Sequence, residues 1–151
     1  MKTSFFFCLI LLAVASSAFA TPAPAPFAAA RTLPAGTLVI LETTEKIATD
    51  QVTVGKTLLF RVRMNVVVDG KTVIASGALA VGRVKSIARA TYNYPEEITL
   101  EVLYAQAVDG QQVALNGAEQ TYRGMFPNES MVVEPGQTIT ATVMNNIQIE
   151  L

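Results

Sequence analysis

The chain has 151 residues, no histidine, no tryptophan and one cysteine, and its 11 basic and 12 acidic side chains leave a net charge of −1. Without histidine, and with its single thiol at Cys8, it lacks the parts for Ser-His-Asp and Cys-His catalysis and the usual zinc and copper ligands. The near-neutral balance gives no electrostatic footprint for nucleic acid or anionic lipid.

Met1-Lys2-Thr3, the apolar run Phe5–Val14 and the small-x-small site Ala18-Phe19-Ala20 are the three parts of a cleavable secretory signal. The run falls short of the roughly 20 apolar residues that span a bilayer, so no transmembrane segment is expected in the mature chain. Residues 1–20 are read as a signal peptide, and the mature protein is expected from Thr21 onward as an exported chain: periplasmic, cell-envelope associated or secreted. Cys8 sits at the start of the apolar run and not just after its end, which argues against lipidation. Loss of Cys8 with the signal leaves no disulfide, so packing alone must hold the fold. Thr21–Pro34 is rich in Pro and Ala and predicts an extended tether. Residues 35–151 are then long enough for one domain, since domains commonly run about 100–150 residues.

From Ala35 onward the pattern is β. Thr57–Val68 alternates most clearly, with Phe60, Val62, Met64, Val66 and Val68 on one face and Arg61, Arg63 and Asn65 on the other, as in a strand with one buried side. Shorter alternation marks Ile98-Leu100-Val102-Tyr104, Ile139-Ala141-Val143 and Ile147-Ile149-Leu151. Further strands are predicted at Leu38–Glu42, Thr72–Ile74, Leu79–Ile87 and Gln112–Leu115, and no useful helical periodicity occurs. The fold class is therefore all-β, a small barrel or a two-sheet sandwich.

The turns carry an echo. Val68-Asp69-Gly70-Lys71-Thr72-Val73 leads to Gly77-Ala78, and forty residues on Val108-Asp109-Gly110-Gln111-Gln112-Val113 leads to Gly117-Ala118. Asp-Gly between alternating strands signals a type I′ hairpin, in which both central residues take positive φ, so a duplicated hairpin unit is expected. A two-residue loop at Asp69-Gly70 sets Val66 opposite Val73, Met64 opposite Ala75, Arg63 opposite Ser76 and Arg61 opposite Ala78. Arg61, Arg63, Arg83 and Lys85 then read as a solvated basic face, their stems lying over Ala78, Ala80 and Gly82. Gly36-Thr37, Gly55-Lys56-Thr57 and Gly136-Gln137-Thr138 each precede a strand as turn exits.

Catalytic chemistry is scarce. The mature serines Ser76, Ser86 and Ser130 lie in no Gly-x-Ser-x-Gly elbow, the acids are too scattered for a calcium loop, and no Gly-rich phosphate loop occurs. Glu96 and Glu97, adjacent on a strand, would point to opposite faces. No enzyme, cofactor or metal is expected. Few aromatics, short strands and the absence of tryptophan point away from an outer-membrane barrel.

Two segments are chemically richer. Arg89–Glu97 carries Tyr92, Tyr94 and a proline; Thr121–Asn128 carries Tyr122, Arg123, Met125 and Phe126. Such residues join apolar area to a polar handle and are enriched at recognition surfaces. Tyr92, Tyr94, Tyr122, Arg123 and Phe126 are the candidate contacts to a ligand or partner; the alternative is that these loops plug an open barrel end. Asn128-Glu129-Ser130 matches a glycosylation acceptor.

Val73-Ile74-Ala75-Ser76-Gly77-Ala78-Leu79-Ala80-Val81-Gly82, with Asp109-Gly110 and Val113-x-Leu115 beyond it, resembles a small β-barrel module of exported bacterial envelope proteins, mostly of unassigned function. It is distantly similar to the periplasmic barrel of TrbI-type conjugation and type IV secretion channel subunits. The likeness covers about Leu38 to Leu115 and rests on turn and core positions, so it implies a barrel fold and carries over no functional residue. The channel family would imply a ring of subunits. The function expected is a non-catalytic exported cell-envelope module that binds a protein or a surface polymer. The alternatives are a structural subunit assembling through strand edges and a carboxylate-based hydrolase.

Overall fold

The computed structural model describes residues 29–117 and 119–151. The expected signal peptide, residues 21–28 of the expected tether and Ala118 lie outside the described residues. The described residues are all-β, and among them no helix is long and apolar enough to cross a membrane.

Six strands close a ring. In chain order they are β2 (Leu38–Thr43), β4 (Thr57–Val62), β7 (Leu79–Ala88), β8 (Pro95–Gln106), β9 (Gln112–Asn116) and β12 (Thr138–Val143). The antiparallel pairings run β8–β7, β7–β4, β4–β2, β2–β12 and β12–β9, and β9 returns to β8. A sheet closed on itself has no edge along the ring. Alternation then sends every second side chain inward: Val39 and Leu41, Leu58, Phe60 and Val62, Ile98, Leu100 and Val102, Val113 and Leu115, Ile139, Ala141 and Val143 are all buried. Gly82 makes room for the one aromatic ring in the centre. A Cβ there would stand 2.8 Å from Phe60 Cε2 and 2.2 Å from the Glu101 carbonyl oxygen.

Short ribbons complete the core. They pair β1 (Arg31–Leu33) with β13 (Ile147–Ile149), β3 (Ile47–Ala48) with β11 (Val132–Val133), and β5 (Val66–Val68) with β6 (Lys71–Ile74). Their buried members Leu33, Ile149, Ile47, Val133 and Val73 join the same apolar cluster. Arg31–Leu33 falls within the stretch read as tether, yet Leu33 is fully buried. The three Gly-Thr turn exits feed β2, β4 and β12, which are ring neighbours, and Gly36, Gly55 and Gly136 all take positive φ (80°, 88° and 86°). Each of these strands then breaks and resumes as β3, β5 or β13.

Several local expectations need correction. The long strand over Thr57–Val68 is two strands, because Asn65 Oδ1 accepts the Ser76 N–H at 2.6 Å while Ser76 Oγ donates to the Arg63 carbonyl at 3.0 Å. That bend turns Met64 to solvent. Asp69-Gly70 forms the two-residue loop, Val68 facing Lys71 with φ of 48° and 74°. A shift after Val66 nevertheless sets Val66 opposite Ile74 and Arg61 opposite Leu79, one residue off the simple register. The second Asp-Gly is a different turn. Only Gly110 has positive φ there, and Asp109 accepts the N–H groups of Gln111 at 2.9 Å and Glu150 at 3.0 Å. In β8 an extra residue between Val102 and Tyr104 flips the alternation, so Ala105 is the buried residue and Tyr104 is half-buried. Bulges of this kind bend a strand and re-aim its side chains.

Candidate functional site

The end of the molecule that carries the candidate contacts is a three-stranded flap. Past Val84, β7 pairs only with β8. The first half of β8 pairs on its other side with β10 (Glu119–Pro127), and only Tyr104–Gln106 pair with β9. Most of the segment Thr121–Asn128, read from sequence as a loop, is therefore strand. The chain between β7 and β8 closes in a tight turn, with Thr91 N–H donating to the Tyr94 carbonyl at 2.9 Å.

Facing it, β10 bulges. Arg123 pairs with Glu97 and Pro127 with Pro95, so β10 takes four steps where β8 takes two, and Gly124–Phe126 arch over Glu96. The arch passes close to β8: a Cβ at Gly124 would lie 3.5 Å from the Glu96 carbonyl oxygen, at ordinary contact distance. The arch and the turn together display four large side chains to solvent, Tyr92 at 85%, Tyr94 at 72%, Met125 at 90% and Phe126 at 60% exposure. Tyr94 adjoins Pro95, which faces Pro127, so the two groups meet at one tip.

The five candidate contacts thus separate into three environments. Tyr92, Tyr94 and Phe126 stand at the tip, together with Met125 from the same arch of β10. Tyr122 is half-buried on the inner side of β10 and packs against the core; its buried hydroxyl has no hydrogen-bond partner, and burial pushes its pKa up. Arg123 points to the opposite face, exposed and paired with Glu97. Beside Tyr122 and Met125 runs an open groove of about 350 Å³, closed on its far side by Met131, Val133 and Gln137.

Beneath the tip lies a polar knot that sequence reading had no means to find. Glu96 is 3% exposed. Its Oε2 accepts from the Thr49 hydroxyl and from the Met131 N–H at 2.9 Å, and its Oε1 accepts from Arg89 Nη1 at 2.9 Å. Arg89 also donates to the Thr49 carbonyl at 2.8 Å, and Thr49 N–H to the Met131 carbonyl at 3.0 Å. Burial disfavours the charged carboxylate, but the Thr49, Met131 and Arg89 donors together outweigh it and hold the Glu96 pKa below its ordinary value. The knot ties the flap to the β3–β11 ribbon. It joins residues up to 82 positions apart, a separation that leaves no local pattern.

The outer face of the flap is laced with charge. Arg83 Nε donates to Glu101 at 2.8 Å and Lys85 pairs with Glu119; away from the flap, Arg63 Nη1 donates to Thr138 Oγ1 of β12 at 2.8 Å. Three of the four cations of the expected basic face are therefore engaged within the chain. Glu96 and Glu97 point to opposite sides of β8, the one into the knot and the other to Arg123. Among the described residues no three Asp, Glu, His or Cys side chains converge as a metal site. Comparison with protein-family models finds no match, and comparison with curated proteins finds none.

Proposed function

We propose that this protein is a non-catalytic exported module of the cell envelope that binds a protein or a surface polymer through the flap tip. The observation that carries the reading is the tip itself: Tyr92, Tyr94, Met125 and Phe126 expose large apolar surface together at one end of the molecule. Large apolar side chains exposed together commonly mark interaction sites, and aromatic residues and Met are enriched at them. The Glu96 knot supports the reading, because it fixes the base of the tip and lowers the ordering cost of binding. The signal-like first 20 residues and the likeness to exported barrel modules are what favour the envelope as its place of work.

The test is a double variant, Tyr94→Ala with Phe126→Ala, assayed for co-sedimentation with purified peptidoglycan and with isolated envelope membranes. Binding by the wild type that drops at least about tenfold in the variant, with an unchanged thermal midpoint, supports the tip. Binding that survives both substitutions refutes it.

A further inference from the structure

The flap has a free edge. β10 pairs with β8 on one side and is the terminal strand of its sheet among the described residues. Such an edge is a template for another strand unless it is blunted by charged side chains, proline, a bulge or a covering segment. In β10 the backbone irregularities come only at the ends, and the two charges between them, Glu119 and Arg123, are of opposite sign. Gly117 at positive φ (67°) precedes the strand, and the bulge with Pro127 follows Arg123. Between them Glu119–Arg123 keeps regular register with β8, and its middle residue is Thr121.

We propose that this edge pairs with the same edge of a second copy, antiparallel and centred on Thr121. An antiparallel pair about that residue sets Glu119 opposite the second copy's Arg123 and Arg123 opposite its Glu119, so the strand is complementary to itself in charge. Directly opposite cross-strand charges stabilise when unlike and destabilise when like. Within one chain the edge carries an unfavourable contact of this kind, since Glu119 faces Glu101 across the ladder. Arg83 and Lys85 partly offset it through their ion pairs to Glu101 and Glu119. The incoming Arg123 adds a third cation beside these two carboxylates. At the centre, Thr121 meets Thr121, a favourable cross-strand pairing; each Thr121 hydroxyl already bonds Thr99 at 2.9 Å on its own β8. On the inner face Gln120 comes opposite Tyr122, bringing an amide alongside the ring whose hydroxyl has no partner.

The product is a two-fold dimer whose sheet runs β7-β8-β10-β10-β8-β7. Its two tips lie at opposite ends, because the central strands are antiparallel. The pairing does not rest on the tip reading, since Tyr92, Tyr94, Met125 and Phe126 all lie outside the ladder.

Sedimentation velocity on the protein purified after expression of the full 151-residue chain tests it. The wild type should dimerise by about 100 μM, and Glu119→Arg or Arg123→Glu alone should weaken the dimer about tenfold, because each creates two like-charged pairs. The double exchange E119R/R123E restores both intermolecular pairs and should recover much of the affinity lost in either single variant, the remainder reflecting the ion pairs to Glu97 and Lys85 that it breaks within each chain. Thr121→Cys should form an intermolecular disulfide on oxidation, since opposed strand residues lie about 5 Å apart; Gln120→Cys, which meets Tyr122 and not itself, should not. A chain monomeric throughout, a dimer indifferent to both single reversals, or a double exchange that fails to rescue would each overturn the proposal. The last two outcomes would assign association to another face and leave the β10 edge to some other extended segment.

Discussion

Replacing Glu96 by Gln keeps the size of the side chain and removes only its charge. Every partner of the carboxylate is a donor: the Thr49 hydroxyl, the Met131 N–H and Arg89. A glutamine amide has one acceptor oxygen, so its NH₂ must face a donor whichever way it is turned. The milder orientation turns NH₂ toward Arg89, which still keeps its 2.8 Å bond to the Thr49 carbonyl. One charge-assisted bond is then lost and two become neutral. At about 1.5–3 kcal/mol for a bond to a charged group against about 1 for a neutral one, the cost is about 2.5–7 kcal/mol, toward the lower end because the Arg89 side chain is largely exposed. Urea unfolding at neutral pH, followed by far-UV circular dichroism or tyrosine emission in this tryptophan-free chain, measures it. The pH dependence gives a second check. Glu96 ionises more readily in the folded state than its ordinary value near 4.5, so its contribution is present above that value and is lost as pH falls through the lower folded one. The gap between wild type and variant should therefore be full at neutral pH and shrink below about pH 4. A loss under about 1 kcal/mol at neutral pH, or a gap that stays constant on acidification, would refute the view of Glu96 as an ionised fastening.

Gly82→Ala should destabilise by about 3 kcal/mol or abolish folding, since the new methyl meets the Glu101 carbonyl at 2.2 Å, at the costly end of overpacking; a soluble variant with an unchanged thermal midpoint would contradict the close approach. Asp69 holds positive φ, so Asp69→Asn should be tolerated while Asp69→Val costs about 1–2 kcal/mol by the same unfolding assay. Equal stabilities would mean that the turn relaxes. Tyr122→Phe removes a buried hydroxyl without a partner and should leave dilute protein as stable as wild type or firmer by about 1 kcal/mol. A clear loss would reveal a bond that the hydroxyl makes in solution.

Most strands of the ring were legible one by one: β4 and β12 lie where alternation marks them, and β2, β7 and β9 where further strands are predicted. What the pattern could not carry was correction at a distance. The break after Val62 depends on Asn65 finding Ser76, and the flip at Tyr104 on one extra residue set against β7. β10 was missed for another reason. Its inward positions are Gln120, Tyr122 and Gly124, half-buried because the groove lies open beside them, so no apolar alternation announced a strand. The tip was half legible, since the aromatic residues were visible in sequence and their gathering by the bulge was not. The Glu96 knot was wholly illegible, being made by Thr49 and Met131 from remote parts of the chain.

The order in which the ring is stitched governs when the chain can fold. β1 finds its partner only in β13, and β2 pairs with β12, so the earliest strands wait for the latest before the cylinder can shut. A polypeptide emerging amino end first therefore stays open for nearly its whole passage. Long-range pairing of this kind slows folding, because loop closure must precede the contacts that reward it. A chain with that wiring stays unclosed until its last strands are available, and the barrel then shuts slowly, by contacts between its two ends.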